Sequence, residues 1–122
     1  MKAYIKIFGL MLVSIPMYSH ANSYQISGEV DFVRIHNAAF LPQWAPPRFS
    51  FTLVGVTSAG NCPSWGPEKK IVLVGETKED YAMVLSAFSA GKKLAVNADD
   101  GALVSGFCRA NYITVGNPPP LY

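Results

Sequence analysis

Few side chains in this sequence of 122 residues have the types and spacing that catalysis requires. Of its two histidines, His20 falls in an N-terminal segment with the features of a leader, which leaves His36. A serine triad would have to use His36, and no G-x-S-x-G motif accompanies it. The sequence contains no P-loop, no H-E-x-x-H and no dinucleotide-binding motif. We therefore predict that the protein is not an enzyme and uses no cofactor.

The acidic residues are explained by local structure rather than by a catalytic pair. Asp99 and Asp100 stand side by side before Gly101, which is typical of a turn, so their side chains need not converge as two catalytic carboxylates must. Glu79 and Asp80 lie where they would stabilise the N-terminus of a helix. No CxxC motif exists, and one histidine is too few for an ordinary zinc site. We expect neither a catalytic carboxylate pair nor a metal site.

The first 21 residues have the pattern of a secretory signal. Lys2 and Lys6 precede a short apolar run, and small residues stand at the −3 and −1 positions of a cleavage site before Asn22. The run is too short to span a hydrocarbon core of about 30 Å. We predict a signal peptide at 1–21, one domain at 22–122, no membrane span after signal removal, and a secreted or periplasmic location.

The two cysteines, Cys62 and Cys108, both follow the predicted leader. In an oxidising compartment they pair most simply with each other, and a loop of that size gives about 4 kcal/mol of stabilisation at most. The alternative is a free or metal-bound thiol. We predict a structural disulfide between these cysteines.

Composition excludes two broad classes. Half of the residues are hydrophobic and 15% are charged, which argues against disorder. The sequence has ten basic and eight acidic residues, and two of the basic ones, Lys2 and Lys6, belong to the predicted leader. The remaining chain has balanced charge and lacks the excess of cations that nucleic-acid binding needs. We predict no nucleic-acid partner.

Hydrophobic periodicity predicts strands around one helix. In 24–36 the alternation changes phase after Phe32, which predicts a long first strand with a bulge or a sharp bend. Further strands are predicted at 49–56, 71–74, 94–96 and within 103–115, with a turn at 97–101. The helix would begin after Thr77, capped with Asp80, and end at Gly91. Its apolar stripe, expected to pack into the core, consists of Tyr81, Val84, Leu85 and Phe88.

The predicted order is three strands, one helix and two strands. A helix between strands 3 and 4 of five is typical of an OB-like barrel, and a long, bent first strand suits a closed barrel. We predict a mainly β protein with one helix, folded as a small five-stranded OB-like barrel. An α+β roll is the competing architecture.

Two long connections, Asn37–Arg48 and Thr57–Lys70, carry the tryptophans Trp44 and Trp65. Long ordered loops with aromatic side chains often serve recognition. The alternative is that the two tryptophans only cover the ends of the barrel.

Short motifs along the chain suggest a family. They are Ile26-Ser27-Gly28 in a strand that ends at His36, Ser58-Ala59-Gly60 before Cys62, Trp65, the helix with Gly91, and Leu103-Val104 leading to Cys108. In these features the sequence resembles the B subunits of AB5 toxins. The toxins meant are subtilase cytotoxin and the typhoid-type toxins, whose B subunits are pertussis-like. The resemblance covers most of the chain after the leader. It implies an OB-like fold, a homopentamer that carries an A subunit, and binding of sialoglycans on cell surfaces.

The resemblance also implies a binding residue. Ser27 occupies the position of a serine that contacts the sialic acid carboxylate in the family, and a hydroxyl can both donate and accept. With it we predict His36, Trp44 and Trp65 as ligand-binding residues. The alternative function is a stand-alone periplasmic accessory or inhibitor protein that binds an exported protein through the loop 40–44.

Overall fold

The computed structural model describes residues 23–116, which form seven strands and one α-helix. The elements are β1 (Ser23–Arg34), a 3-10 turn (Pro42–Trp44), β2 (Phe49–Leu53), β3 (Ser64–Trp65), β4 (Lys70–Ile71), β5 (Leu73–Gly75), α1 (Lys78–Ala90), β6 (Lys93–Val104) and β7 (Phe107–Val115). The predicted signal peptide and the segment 117–122 lie outside the described residues. Within residues 23–116, no helix has the length and apolar character that crossing a membrane requires.

Five strands pair in the order β1-β2-β5-β7-β6, and β6 pairs back with β1, so the sheet closes as a barrel. All neighbours are antiparallel except β5 and β7, which are parallel. The predictions of a mainly β protein, one helix and a five-stranded sheet are confirmed. The predicted numbering was wrong in two places. The segment 57–70, expected to be a loop, contains β3 and the first residue of β4, and the single strand predicted at 71–74 is divided between β4 and β5. The helix therefore follows the fifth of seven strands, which is the third strand of the large sheet.

A bulge in β1 determines which of its side chains face outward. Val30 pairs with Leu53 and Phe32 pairs with Thr52, so Asp31 is the additional residue. Both Val30 and Val33 contact the core. The bulge was predicted, but it comes earlier than expected. Phe32 therefore lies on the outer face of the sheet rather than in the core.

The core is built from the inward residues of β2, β5 and β6. Phe49 lies between two other rings, with its centroid 5.7 Å from that of Phe51 and 5.3 Å from that of Tyr81. Gly75, which pairs with Phe49, leaves room for this ring: a Cβ there would lie 2.3 Å from it. The other fully buried large side chains include Leu53, Ile71, Leu73, Val74, Leu94 and Val96.

The helix begins and ends as predicted. The backbone N–H of Asp80 donates to Thr77 Oγ1 at 3.0 Å, and Gly91 adopts the left-handed conformation (φ 63°) that ends many helices.

The predicted apolar stripe of α1 is only partly correct. Val84 is 0% exposed and Ala87 is also buried, whereas Leu85 is 40% and Phe88 48% exposed. The inward stripe runs through Tyr81, Val84 and Ala87, because a small alanine lets the helix lie close to the sheet. The larger Leu85 and Phe88 are displaced to the flanks.

The predicted turn at 97–101 is instead part of the continuous strand β6. Two register shifts, after Asn97 and after Asp99, accommodate its polar residues. The Asn97 side chain accepts from Asn111 Nδ2 at 2.8 Å, and Asp99 accepts from the N–H of Gly101 at 2.9 Å. The chain turns later, at residues 105–106, where two successive positive φ angles suit a tight hairpin.

The predicted disulfide is confirmed. Cys62 and Cys108 are bonded, with their Cα atoms 5.6 Å apart, and both are buried. The bond joins the segment that carries β3 and β4 to the start of β7. Near it, the N–H of Asn61 donates to Asp100 Oδ2 at 3.1 Å. These contacts fix the segment to the large sheet, and both cysteines belong to the core cluster.

Candidate functional site

A cleft on the outer surface of the sheet brings together three of the four predicted ligand-binding residues. Its volume is about 160 Å³, below the range of about 300–1,000 Å³ that drug-sized ligands need. A group the size of one sugar ring or one side chain suits it better. The lining residues are Phe32, Arg34, His36, Trp44, Ser50, Trp65, Val72 and Phe107.

One wall of the cleft is a row of three rings. The centroid of Trp44 lies 5.6 Å from that of His36 and 6.1 Å from that of Phe107. Trp44 is buried, and its backbone N–H donates to Leu41 O at 2.9 Å within the 3-10 turn. The loop thus presents a fixed aromatic surface rather than a mobile one.

The opposite wall is more exposed. Trp65 meets Phe32 edge to face at 6.5 Å and keeps 47% of its surface exposed. The Arg34 guanidinium lies over both rings, 5.4 Å from each centroid. Cation–π contacts at exposed sites contribute about 0.5–1 kcal/mol. These two contacts hold the Arg34 side chain beside Trp65, and the Trp65 ring stays half exposed.

An ion-pair cluster holds Trp65 in place. Trp65 pairs with Lys70 in the β3–β4 hairpin, and Lys70 Nζ donates to Asp31 Oδ2 and contacts Glu68 at 3.1 Å. The hydroxyl of Thr52 also donates to Asp31, at 3.2 Å. The hydrogen bond from Lys70 lowers the pKa of Asp31. The hydrogen bonds to Asp31 and then Glu68 raise the pKa of Lys70.

The cleft contains polar groups that lack protein partners among the described residues. Arg48 and Arg109 each approach Glu76, at 3.9 and 3.8 Å, whereas Arg34 forms no ion pair with any carboxylate of residues 23–116. The Nδ1 atom of His36 is buried without a hydrogen-bond partner. Unsatisfied polar groups between aromatic walls are what a ligand with both polar and apolar faces would pair with.

The fourth predicted residue, Ser27, lies elsewhere. It is exposed on the first half of β1, opposite Ala95 of β6. Ser27 and Arg34 are seven positions apart in the same strand, which corresponds to about 23 Å of extended backbone. Ser27 therefore does not share a site with His36, Trp44 and Trp65.

Sequence reasoning missed Arg34 and Phe107. A signal for Arg34 existed: residues two apart in a strand share a face, and Arg34 stands two residues from both Phe32 and His36. No sequence pattern indicated Phe107, which reaches the cleft because the β6–β7 hairpin ends beside Trp44.

Comparison with protein-family models, curated proteins and solved structures finds no match to this chain. Among residues 23–116, no group of three or more histidine, cysteine or acidic side chains is placed to hold a metal ion.

Proposed function

We propose that the protein is a secreted glycan-binding subunit, that its ligand is a sialoglycan, and that the ligand occupies the aromatic cleft. The observation that carries the proposal is the combination of aromatic walls with unpaired polar groups in one small cleft. The apolar faces of a sugar ring can pack on Trp44 and Trp65. Its hydroxyls can bond to Ser50, whose hydroxyl both donates and accepts, and to His36.

The fold relationship is part of the same proposal. We propose that the barrel is OB-like and that it resembles the B subunits of AB5 toxins. Two features support this: the helix follows the third strand of the closed sheet, and the long, bulged β1 pairs with β2 through its second half and with β6 through its first half.

A homopentamer that carries an A subunit is the proposed assembly. Its support is the outer side of α1, where Met83, Leu85 and Phe88 are exposed. No charged residue occurs in 81–91, and an uncharged, partly apolar helix surface is unusual for a protein that stays monomeric.

A glycan array with single-site variants tests the proposed site. Trp65→Ala should abolish binding to sialylated glycans, because it removes one wall of the cleft. Since Trp65 is half exposed, the variant should remain folded. Val54→Ala is the matched control: Val54 is an exposed apolar residue that does not line the cleft. Its binding should equal that of the wild type.

Two outcomes of the array would contradict the proposal. An array without any hit at high protein concentration would count against glycan binding altogether. Loss of binding in Ser27→Ala together with full binding in Trp65→Ala would move the site to the first half of β1.

A second function has one observation in its favour. Phe40 is 75% exposed at the apex of its loop, where the N–H of Phe40 donates to Asn37 O at 3.0 Å. An exposed aromatic on an ordered loop is typical of a protein-binding anchor. A stand-alone accessory or inhibitor protein would sediment as a monomer and would lose its exported partner in Phe40→Ala. The first proposal predicts a pentamer whose glycan binding does not change in this variant.

A further inference from the structure

We propose that Arg34 determines the specificity of the cleft by binding one carboxylate of the ligand, so that the cleft accepts sugar acids in general, uronic as well as sialic, in preference to neutral sugars. This inference rests on the proposed glycan-binding function. It identifies the charged group of the ligand and the residue that recognises it, which is not Ser27.

Arg34 differs from the other arginines in its partners. The sequence has three, and the other two, Arg48 and Arg109, share Glu76 as a partner. Among residues 23–116, Arg34 contacts only the rings of Phe32 and Trp65, which attract its charge but offer no acceptor to its five N–H groups. A carboxylate can accept two of them side by side, which is the strongest pairing available to a guanidinium.

The charge around the cleft favours a ligand with a single negative charge. Lys70 also lies near Phe32, 5.8 Å from its centroid, but it is already engaged by Asp31 and Glu68. Within the part of the chain that the structure describes, Arg34 is therefore the cation of the cleft that no carboxylate compensates. One cation suits the single charge of a carboxylate, whereas phosphate sites in proteins gather several cations or backbone N–H groups.

Arg34 also lies close to both walls of the cleft. Its guanidinium contacts Trp65, and Trp65, His36 and Trp44 all line the same cleft of about 160 Å³. A sugar ring on these walls would place a substituent carboxyl next to Arg34. The unpartnered Nδ1 of His36 supplies a separate polar contact for a hydroxyl or amide of the same sugar.

The test is a titration of the full secreted protein with four small sugars. The probes are the methyl glycoside of N-acetylneuraminic acid, its uncharged methyl ester, methyl glucuronide and methyl galactoside, followed by NMR or calorimetry. The variants are Arg34→Gln, Arg34→Lys and, as a matched loss of one positive charge outside the cleft, Arg109→Gln. Circular dichroism and melting establish that each variant is folded.

The expected result is a preference of about 10- to 100-fold for the two acids over the ester and the galactoside, as one charge-assisted pair provides. Arg34→Gln should abolish this preference, while Arg34→Lys should keep part of it because the charge remains without the paired N–H groups. Arg109→Gln should bind as the wild type does. Raising the salt concentration should weaken binding of the acids more than that of the ester.

The possible failures are distinguishable. Equal binding of the acid and the ester, or a preference that survives in Arg34→Gln, would overturn the role of Arg34 and leave glycan binding intact. Binding of sialic acid without glucuronide would overturn the claim that sugar acids in general are accepted. Absence of binding for all four sugars would overturn both this inference and the proposed function.

Discussion

The orientation of α1 makes a quantitative prediction for a pair of substitutions. Val84 is fully buried, so Val84→Ala removes two buried carbons at about 0.8 kcal/mol each and leaves a cavity, for a loss of about 2–3 kcal/mol. Phe88 is 48% exposed. Burying a whole phenylalanine contributes at most about 3 kcal/mol, and truncation here leaves no closed cavity, so Phe88→Ala should cost about 1 kcal/mol. If the ring had filled the core, the loss would have been about 3–5 kcal/mol.

The assay is urea unfolding followed by circular dichroism, with the disulfide intact and the slope compared between variants. The protein concentration should be low enough to keep the chain monomeric, because Phe88 lies on the surface proposed for assembly. A larger loss in Phe88→Ala than in Val84→Ala under those conditions would show that the helix packs on its other side. A loss for Phe88→Ala that grows with protein concentration would instead reflect the oligomer.

Three further predictions concern stability. Cys62→Ser should lower the free energy of unfolding by about 2–5 kcal/mol; a wild-type urea midpoint that reductant does not change would contradict it. Gly75→Ala should cost about 1–3 kcal/mol or more, since its methyl group would overlap the ring of Phe49, and an unchanged melting temperature would contradict this. The Asp31–Lys70 pair should stabilise the fold between two pH limits. Because folding lowers the pKa of Asp31, the contribution should be lost as the pH falls below 3.8, the ordinary pKa of this carboxyl. Because folding raises the pKa of Lys70, the contribution should also be lost as the pH rises above 10.5, the ordinary pKa of this amine. In the wild type, protection of the backbone amides of residues 64–71 from hydrogen exchange should be greatest between these two limits. In Lys70→Ala this pH dependence should be absent.

Local signals predicted the ends of the helix and the irregularity in β1. Thr77 and Gly91 cap the two ends of the helix through contacts with residues of the adjacent turn. The phase change in β1 is visible in the alternation of neighbouring residues. The errors came from packing. The spacing of apolar residues cannot show that Ala87 rather than Leu85 faces the sheet. How closely the helix approaches the sheet depends on the shape of the opposing surface, which the helix sequence does not contain.

The polar run in β6 shows another limit. Asn97 and Asp99 favour turns by propensity, but in the folded chain their side chains find partners across and along β6 and its neighbour β7. A turn prediction based on residue type alone has no access to those partners.

The candidate site could be predicted only in part. Trp44 and Trp65 were chosen from residue type and loop length, and His36 was chosen with the resemblance. All three line one cleft. Ser27 was chosen from the resemblance alone and lies far from them. Arg34 was overlooked because an arginine in a strand is ordinary in sequence. That no carboxylate of residues 23–116 pairs with Arg34 is visible only in the structure, where Arg48 and Arg109 share Glu76.

The most direct test of the central claim is a two-dimensional NMR titration of the wild-type protein with a sialylated trisaccharide, with backbone and indole N–H resonances assigned. If the ligand occupies the cleft, the proposed binding site predicts concentration-dependent shifts for the indole N–H groups of Trp44 and Trp65 and for the backbone of Arg34 and His36. It predicts no shift at Ser27. Shifts that cluster around Ser27 on the first half of β1, or a spectrum that the sugar does not change, would contradict the assignment of the cleft as the binding site.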